Sequence, residues 1–395
     1  MKKEKFQNIY RLQEKTYYTL LLTVFVSVIF GILMQYSASN ASMSILKKSV
    51  IFMCISLMAF FLVQNVNIKN ITMIFGGYLY LFSFILIFLL LTPLAVESHG
   101  AKRWIQLFGI QFQVAEVVKI SVILFEAQLV DKISKFKLSN RGKYIEILLL
   151  WIIGVVPTLL LLIISKDLSS SAVILIITFA ISFVTSKKIW PHLLVAGGTG
   201  TIIIFYVRKI AQNLPTQSEL DELPFRVGRV AAWIDPERYA ANQGYQILQS
   251  LYAIGSGGMF GKGIGKSMIK VRMPEAQNDM IFSIICEELG ALGGIFILLM
   301  LGYIIYLIVR IAAKAETLLE STIALGIATH FAFQSIVNVG VCLNVIPNTG
   351  IGLPFISYGG TAIITQMVEI GMVTSISKRH CIAMTNREIK PKQNN

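Results

Sequence analysis

The sequence is dominated by ten long runs of apolar residues that are separated by polar or charged segments. The runs fall at about 17–36, 49–65, 71–92, 113–130, 144–165, 170–186, 192–207, 281–308, 318–342 and 359–377. A helix needs about 20 residues to cross the hydrocarbon of a bilayer, so these runs have roughly the length of helical crossings. The short alternating strands of a transmembrane barrel would not give unbroken stretches of Leu, Ile and Phe. The pattern predicts an all-α polytopic membrane protein with about ten transmembrane helices.

Composition excludes an ordinary soluble domain, because 55% of the residues are hydrophobic and only 14% are charged, whereas soluble chains carry about 25% charged residues. The net charge of +14 does not by itself indicate a nucleic-acid partner, since a membrane protein needs basic loops for its orientation. We therefore predict no nucleic-acid partner. The four cysteines show no spacing typical of a metal site or a disulfide framework.

Basic clusters predict the orientation of the helices. Lys and Arg are concentrated before the first run and after the fourth, sixth, eighth and tenth runs, which all lie on one side if ten helices alternate. That side is cytoplasmic by the positive-inside rule. We predict a cytoplasmic segment at 1–16, a ten-helix membrane domain at 17–377 and a cytoplasmic basic tail at 378–395. Lys47, Lys48, Lys102 and Arg103 fall on the outer side and violate this bias, which suggests a role other than orientation.

One connection is much longer than the others. It runs from about 208 to 280, between the seventh and eighth predicted helices, and it faces outward in this topology. Loops of this length are usually functional or disordered. Apolar anchors such as Phe225, Trp233 and Phe260 predict that the loop folds down as a lid or a re-entrant segment.

Ionisable residues inside crossings are costly and are candidates for function. Glu116 and Lys119 lie three residues apart on one face of the fourth helix, and the polar break between the fifth and sixth runs brings in Asp167. We expect Asp167 to approach Lys119. Two interpretations are open, a structural salt bridge between helices and a polar cavity for a charged ligand.

The segment from Pro274 to Gly290 carries the most informative local pattern. Asp279 stands where the long loop enters the eighth helix, and there it is suited either to cap the helix or to take part in chemistry. Glu287 and Glu288 lie about two turns deeper, and at least one of them should face the bundle interior or a polar partner.

Two stretches are rich in glycine, 244–265 and 347–360. Glycine permits close backbone approach, so either stretch could present amide groups to a phosphate. Neither has the spacing of a P-loop or a dinucleotide fingerprint. Tight turns and helix-packing sites are the other interpretation.

Several motifs occur together and in order along nearly the whole chain. They are Tyr36-Ser-Ala-Ser39, Gly100-Ala-Lys-Arg-Trp-Ile105, the helix with Gln113, Glu116 and Lys119, Asp167-Leu168, Gly244-Tyr-Gln246, Gln249-Ser250, Pro274-Glu275 with Asp279, Glu287-Glu-Leu-Gly290 and Leu353-Pro-Phe-Ile-Ser-Tyr-Gly-Gly360. This combination resembles the SEDS family (shape, elongation, division and sporulation). Trp233-Ile-Asp-Pro236 and the short path from Gly265 to Pro274 look more like the FtsW and SpoVE branch than the RodA branch.

The resemblance implies a peptidoglycan glycosyltransferase that polymerises lipid II at the outer face of the bacterial cytoplasmic membrane. It implies a class B penicillin-binding protein and other divisome or elongasome proteins as partners. The catalytic aspartate of the family falls on Asp279. The chain departs from the family pattern next to its charged residues, at Val114, Ala115, Lys166, Ser169, Asn278, Met280 and Gly352.

In such a reaction a base must take a hydroxyl proton, and cations must stabilise the departing pyrophosphate. Asp279 is our candidate base. The candidate cations, each of which could instead be a snorkelled or headgroup-binding residue, are Arg103, Arg226, Arg229, Lys262 and Lys270. The family motifs add Gln246, Gln249, Glu275 and Ser357 as substrate-binding residues. We assign Glu116, Lys119 and Asp167 to a network that orders the cavity wall.

No His or carboxylate set has metal-ligand spacing, so we predict no metal site; a divalent cation could enter with the pyrophosphate. Two other functions remain open. One is a transporter of the lipid-linked precursor, which should line both halves of its path with polar groups. The other is a divisome scaffold that has lost its chemistry.

Overall fold

The computed structural model describes residues 2–98, 101–107, 110–136, 140–186, 188–216, 219 and 225–389. Parts of three predicted features lie outside these residues. They are 217–218 and 220–224 of the long loop, Gly100 of the Gly100–Ile105 motif, and the end of the basic tail at 390–395.

Each of the ten apolar runs forms a long helix, which confirms the predicted fold class. These helices are α1 (Lys2–Ala38), α2 (Met43–Gln64), α3 (Ile68–Leu89), α4 (Val114–Ser134), α5 (Asn140–Leu160), α6 (Leu168–Ser186), α7 (Ile189–Gln212), α10 (Ile281–Lys314), α11 (Leu318–Cys342) and α12 (Gly360–Ile389). A π-helical turn (Leu161–Ser165) extends α5. Two short helices, α8 (Phe225–Ile234) and α9 (Tyr245–Gly257), lie in the long connection and give it a fold of its own.

Within the described part of the chain, eight of these helices are long and apolar enough to cross a membrane. The other two are α4 and α12. Helix α4 is more polar than most of the eight and lies inside the bundle, packed against α3, α6 and α11, with buried Glu116, Lys119 and Glu126. A helix that faces protein on most sides does not need the apolar surface of a lipid-facing helix.

A small antiparallel sheet connects α3 to α4, and the sequence analysis did not predict it. Its strands are β1 (Ala95–Ser98), β2 (Ala101–Leu107) and β3 (Ile110–Gln113), in the order β1-β2-β3. Ile105 of β2 pairs with Ala95 and Phe112 and is buried. The sheet therefore fixes the backbone of β2, which carries Arg103.

Helix α10 is broken at Gly290, where φ is 72°. The loop after α9 fills the break: Lys262 N–H donates to Glu287 O at 2.9 Å and Ala291 N–H to Gly258 O at 2.8 Å. The approach requires glycine, because a Cβ at Gly261 would lie 2.2 Å from Glu288 O. For this glycine-rich stretch the structure therefore supports the helix-packing interpretation.

Candidate functional site

Asp279 lies where the end of the long connection meets the connection between α11 and α12. The side-chain nitrogen of Asn338 donates to Asp279 O at 2.7 Å and to Ile351 O at 2.8 Å. Tyr358 N–H donates to Gln277 O at 2.9 Å. The segment before α10 is thereby fastened to the 343–359 connection between α11 and α12.

The carboxylate of Asp279 does not cap a helix. Helix α10 has Met280 as its cap residue, without a side-chain capping bond. The side chain of Gln246 contacts it, with Nε2 3.5 Å from Asp279 Oδ1. A capping carboxylate does occur at α6, where Asp167 Oδ1 accepts from Ser170 N–H at 3.2 Å.

The environment of Asp279 suits a proton acceptor. Burial raises the pKa of its carboxyl to about 6, opposed by its own backbone N–H and by Arg229 and reinforced by Glu275. A carboxylate with a pKa near the working pH can take a proton from a hydroxyl and still be ionised beforehand. From local sequence, capping and chemistry were both open; the geometry favours chemistry.

Arg229 of α8 is tied to the same end of the bundle. Its Nη1 donates to Asn348 O at 3.1 Å, and the Asn348 side-chain amide donates to Gln246 Oε1 at 3.1 Å. Burial lowers the pKa of Arg229, as does the charge of Arg103, while Asp279 and Asp167 raise it. The positive charge of Arg229 is therefore stabilised by the carboxylates of both Asp279 and Asp167.

Arg103 and Arg226 complete a group of three arginines. Arg103 Nε lies 4.0 Å from Asp167 Oδ1, with the Arg103 side chain 31% exposed and that of Asp167 3% exposed. Arg226 Nη2 donates to Lys166 O at 3.4 Å. The predicted cations Arg103, Arg226 and Arg229 thus converge from β2 and α8 on the region of Asp167 and Asp279.

Lys262 and Lys270 are placed differently from the prediction, in a second cluster deeper along α10. Lys262 Nζ lies 2.7 Å from Glu287 Oε1, and Lys270 Nζ lies 3.3 Å from Glu288 Oε1. Both glutamates are fully buried, which confirms that they face polar partners rather than lipid. Two buried carboxylates require compensating cations, so these lysines are engaged in ion pairs.

The proposed network of Glu116, Lys119 and Asp167 is only partly correct. Lys119 Nζ lies 2.8 Å from Glu116 Oε1 and 3.0 Å from His330 Nε2. The expected approach of Asp167 to Lys119 is wrong, because Asp167 is engaged with Arg103 and Ser170. Asp167 immediately precedes α6, at the end of the bundle. Lys119 lies more than one turn after the start of α4.

Sequence reasoning missed three residues of these clusters. His330 Nδ1 lies 3.0 Å from both carboxylate oxygens of Glu369, which extends the Glu116–Lys119 pair to α11 and α12. Both are ionisable residues inside a crossing, so the rule that selected Glu116 would also have selected them. Asn348 lies in the glycine-rich 347–360 stretch and gave no signal of its own.

The other predicted substrate-binding residues have mixed surroundings. The Glu275 carboxylate is exposed and accepts from the Asn278 side chain at 2.9 Å. Ser357 Oγ accepts from Leu353 N–H at 2.6 Å and closes a turn. Gln249 Oε1 is buried without a hydrogen-bond partner among the described residues, so it is available to a polar ligand.

A metal would need a different set of ligands. Across the described ranges, no group of three or more His, Cys, Asp or Glu is arranged to hold an ion.

The family model and the most similar known proteins all indicate the same family. The model of the FtsW/RodA/SpoVE family, described as "Cell cycle protein", matches residues 16–381. The chain is 33% identical to "Probable peptidoglycan glycosyltransferase FtsW" of Coxiella burnetii, over 84% of this chain and 85% of that protein. It is 31% identical to "Stage V sporulation protein E" of Bacillus subtilis, over 91% of this chain and 94% of that protein.

Solved structures share the fold. The chain matches a chain of the solved structure "Structural coordination of polymerization and crosslinking by a peptidoglycan synthase complex". The TM-score is 0.76 and the identity 25%, and the match covers 92% of this chain and 98% of that chain. It matches rod shape determining protein RodA of Thermus thermophilus with a TM-score of 0.64 and 24% identity, covering 92% and 97%.

Proposed function

We propose that this chain, which belongs to the FtsW, RodA and SpoVE family, is a peptidoglycan glycosyltransferase that polymerises lipid II into glycan strands. The observation that carries the proposal is the position of Asp279, a half-buried carboxylate whose pKa is raised to about 6. The charge of Asp279 raises the pKa of Arg229, and the charge of Arg103 lowers it, so the three groups interact electrostatically. A base beside fixed cations is what glycosyl transfer from a diphosphate requires.

The reaction follows from these roles. The 4-hydroxyl oxygen of the acceptor GlcNAc forms a bond to C1 of the donor MurNAc, and the bond from C1 to the pyrophosphate oxygen breaks. Asp279 takes the hydroxyl proton and later releases it to solvent. Arg103, Arg226 and Arg229 bind the lipid pyrophosphate as its negative charge grows, with guanidinium groups suited to two-point contact. A divalent cation, where one is needed, enters bound to the pyrophosphate.

The proposed setting is the bacterial cytoplasmic membrane, with both termini in the cytoplasm and the Asp279 end of the bundle outside. This orientation is supported by the Lys and Arg of the predicted cytoplasmic segments, under the positive-inside rule. Lipid II presents its sugars at that outer face.

For partners we propose a class B penicillin-binding protein together with other divisome or elongasome proteins. A groove of about 430 Å³ between α10 and α11 supports a partner with a membrane helix. It is apolar along most of its length, and its lining includes Leu301, Ile305, Ile336 and Val339. Apolar helices pack well into such a surface where a small residue, here Gly302, lets backbones approach.

The transporter alternative calls for a polar path through both halves of the bundle. In the half away from Asp279, Glu126 of α4 accepts from Thr178 Oγ1 at 2.6 Å, and both side chains are fully buried. They form an enclosed contact rather than the wall of a path. In the scaffold alternative, Asp279 is present but takes no part in a reaction.

Purified protein supplied only with lipid II in liposomes separates the three functions. We expect labelled glycan polymer from the wild-type chain. Translocation of lipid II without polymer would favour the transporter. The absence of both activities, also with a penicillin-binding protein added, would favour the scaffold.

A further inference from the structure

The loop from 258 to 272, between α9 and α10, is built with its apolar side chains outward; we call it the inverted loop. Phe260 is 82% exposed and Met268 and Val271 are each 71% exposed. Met259 and Ile264 are also exposed. Five large apolar side chains thus stand on the surface of a 15-residue segment.

Two of the four cations of the inverted loop, Lys262 and Lys270, point the other way. Lys262 and Lys270 reach inward to the fully buried Glu287 and Glu288. Ser267 also turns inward and donates to Glu287. A loop in water would place its lysines outside and its Phe and Met inside. The outer surface of the inverted loop therefore suits an apolar medium better than water.

The inverted loop is continuous with the apolar outer surface of α10. Leu292 N–H donates to Met259 O at 3.3 Å, so the loop lies level with Gly290–Leu292. From there the exposed face of α10 continues with Leu292, Ile295, Phe296 and Leu299. Residues 290–299 are all apolar or glycine, so the apolar face runs from Met259 and Phe260 onto α10.

The length of α10 gives the depth of the loop. Arg310 and Lys314 lie at the far end of α10, where cations commonly mark a membrane boundary. The twenty residues from Gly290 to Arg310 span about 30 Å at 1.5 Å per residue, which is about the thickness of the hydrocarbon core. Gly290, and with it Phe260, therefore lies at the opposite boundary.

We infer that the inverted loop inserts into the interfacial layer of the bilayer, with lipid as the occupant of its apolar face. The exposed Lys266 and Arg272 flank the apolar side chains and can reach headgroup phosphates. The insertion also sets the level of the candidate site, because Arg272 O accepts from Tyr245 at 3.1 Å and the chain then continues to Asp279.

Spin-label accessibility in nanodiscs of phosphatidylethanolamine and phosphatidylglycerol tests this inference without relying on enzyme activity. Cys54, which is exposed, and Cys381 are first replaced by Ser. Labels are then placed through Phe260→Cys and, as an independent position, Met268→Cys. The control Leu299→Cys reports the lipid face of α10, and Glu237→Cys reports an exposed loop residue in water.

We expect labels at 260 and 268 to collide more often with oxygen than with a water-soluble nickel complex, and to lie shallower than the label at 299. Accessibility to the nickel complex equal to that at 237 would overturn the inference, since the loop would then lie in water. Protection from both reagents would also overturn it, since protein rather than lipid would cover the face.

Discussion

The side chain of Gln246 bridges Asp279 and Asn348, which lies in the connection between α11 and α12. Its Nε2 lies 3.5 Å from Asp279 Oδ1, and its Oε1 accepts from the Asn348 side chain at 3.1 Å. Asn348 O in turn accepts from Arg229 at 3.1 Å. A candidate base and a candidate pyrophosphate ligand are therefore positioned through one chain of hydrogen bonds.

Replacing Gln246 should impair catalysis without unfolding the protein. We expect Gln246→Ala to lower the polymerisation rate about 10-fold, because a small misplacement of a reacting group costs rate. Steady-state polymerisation with labelled lipid II measures the effect. The control is Asn242→Ala, whose exposed side chain lies just before α9. Equal rates for the two variants would remove Gln246 from the positioning of Asp279.

Activity should depend on the ionisation of Asp279. Because burial raises its pKa to about 6 and the base must be ionised, the rate should rise with pH through about 6 and then level off. A rate profile between pH 5 and 8 measures this. A rate that is flat across pH 6 would contradict the assignment of Asp279 as the base.

The same shift predicts an effect on stability. A carboxyl with a raised pKa in the folded state binds its proton more tightly there, so stability falls as the pH rises through 6. Asp279→Asn should then stabilise the protein at pH 7.5, by up to about 3 kcal/mol at about 1.4 kcal/mol per pKa unit. Thermal unfolding at pH 7.5 and pH 5 should show the gain shrinking at the lower pH. A variant less stable than wild type at pH 7.5 would oppose this account.

Arg229 should contribute through the geometry of its guanidinium group as well as through its charge. We expect a loss of about 100-fold in rate for Arg229→Ala, as for removal of one transition-state donor, and a smaller loss for Arg229→Lys. The matched control is Arg238→Ala in the same long connection, where the guanidinium donates to Leu214 O at 3.3 Å. Losses of the same size for Arg229→Ala and Arg238→Ala would indicate a general effect of loop charge.

Lys262 should act on stability rather than on substrate binding. Glu287→Gln removes the buried anion that pairs with Lys262, whose side chain is 30% exposed, so we expect a loss of about 3 kcal/mol, the lower end for breaking a buried pair. Adding Lys262→Met should restore part of the loss, since the double variant buries no unpaired charge. Melting temperatures of the single and double variants measure this. If Lys262→Met instead keeps the melting temperature and raises KM for lipid II, the lysine binds substrate.

The sequence was most informative where one local rule decides the structure. The apolar runs predicted all ten long helices, and α10 begins at Ile281 as expected, because hydrophobicity over about 20 residues is a strong signal. The short strands β1 to β3 were missed, since segments of four to seven residues carry little periodicity. Asp279 was identified through the family motif, because its local sequence alone favours a helix cap over a catalytic role.

Charge partners were the least predictable feature. Lys119 meets His330 across 211 positions of the chain, and only tertiary packing brings them together. Lys262 and Lys270 were assigned to pyrophosphate because they lie in a predicted outer loop, but Glu287 and Glu288 bind them. A buried carboxylate takes the nearest cation that folding supplies, and the sequence does not show which one that is.

The most direct test of Asp279 as the base compares wild-type protein with Asp279→Asn in liposomes that contain only labelled lipid II. Thermal unfolding of both proteins serves as the fold control. We predict that glycan polymer falls at least 100-fold, within the range expected for loss of a general base, while the variant still unfolds cooperatively. Polymer within twofold of wild type from the folded variant would contradict the account.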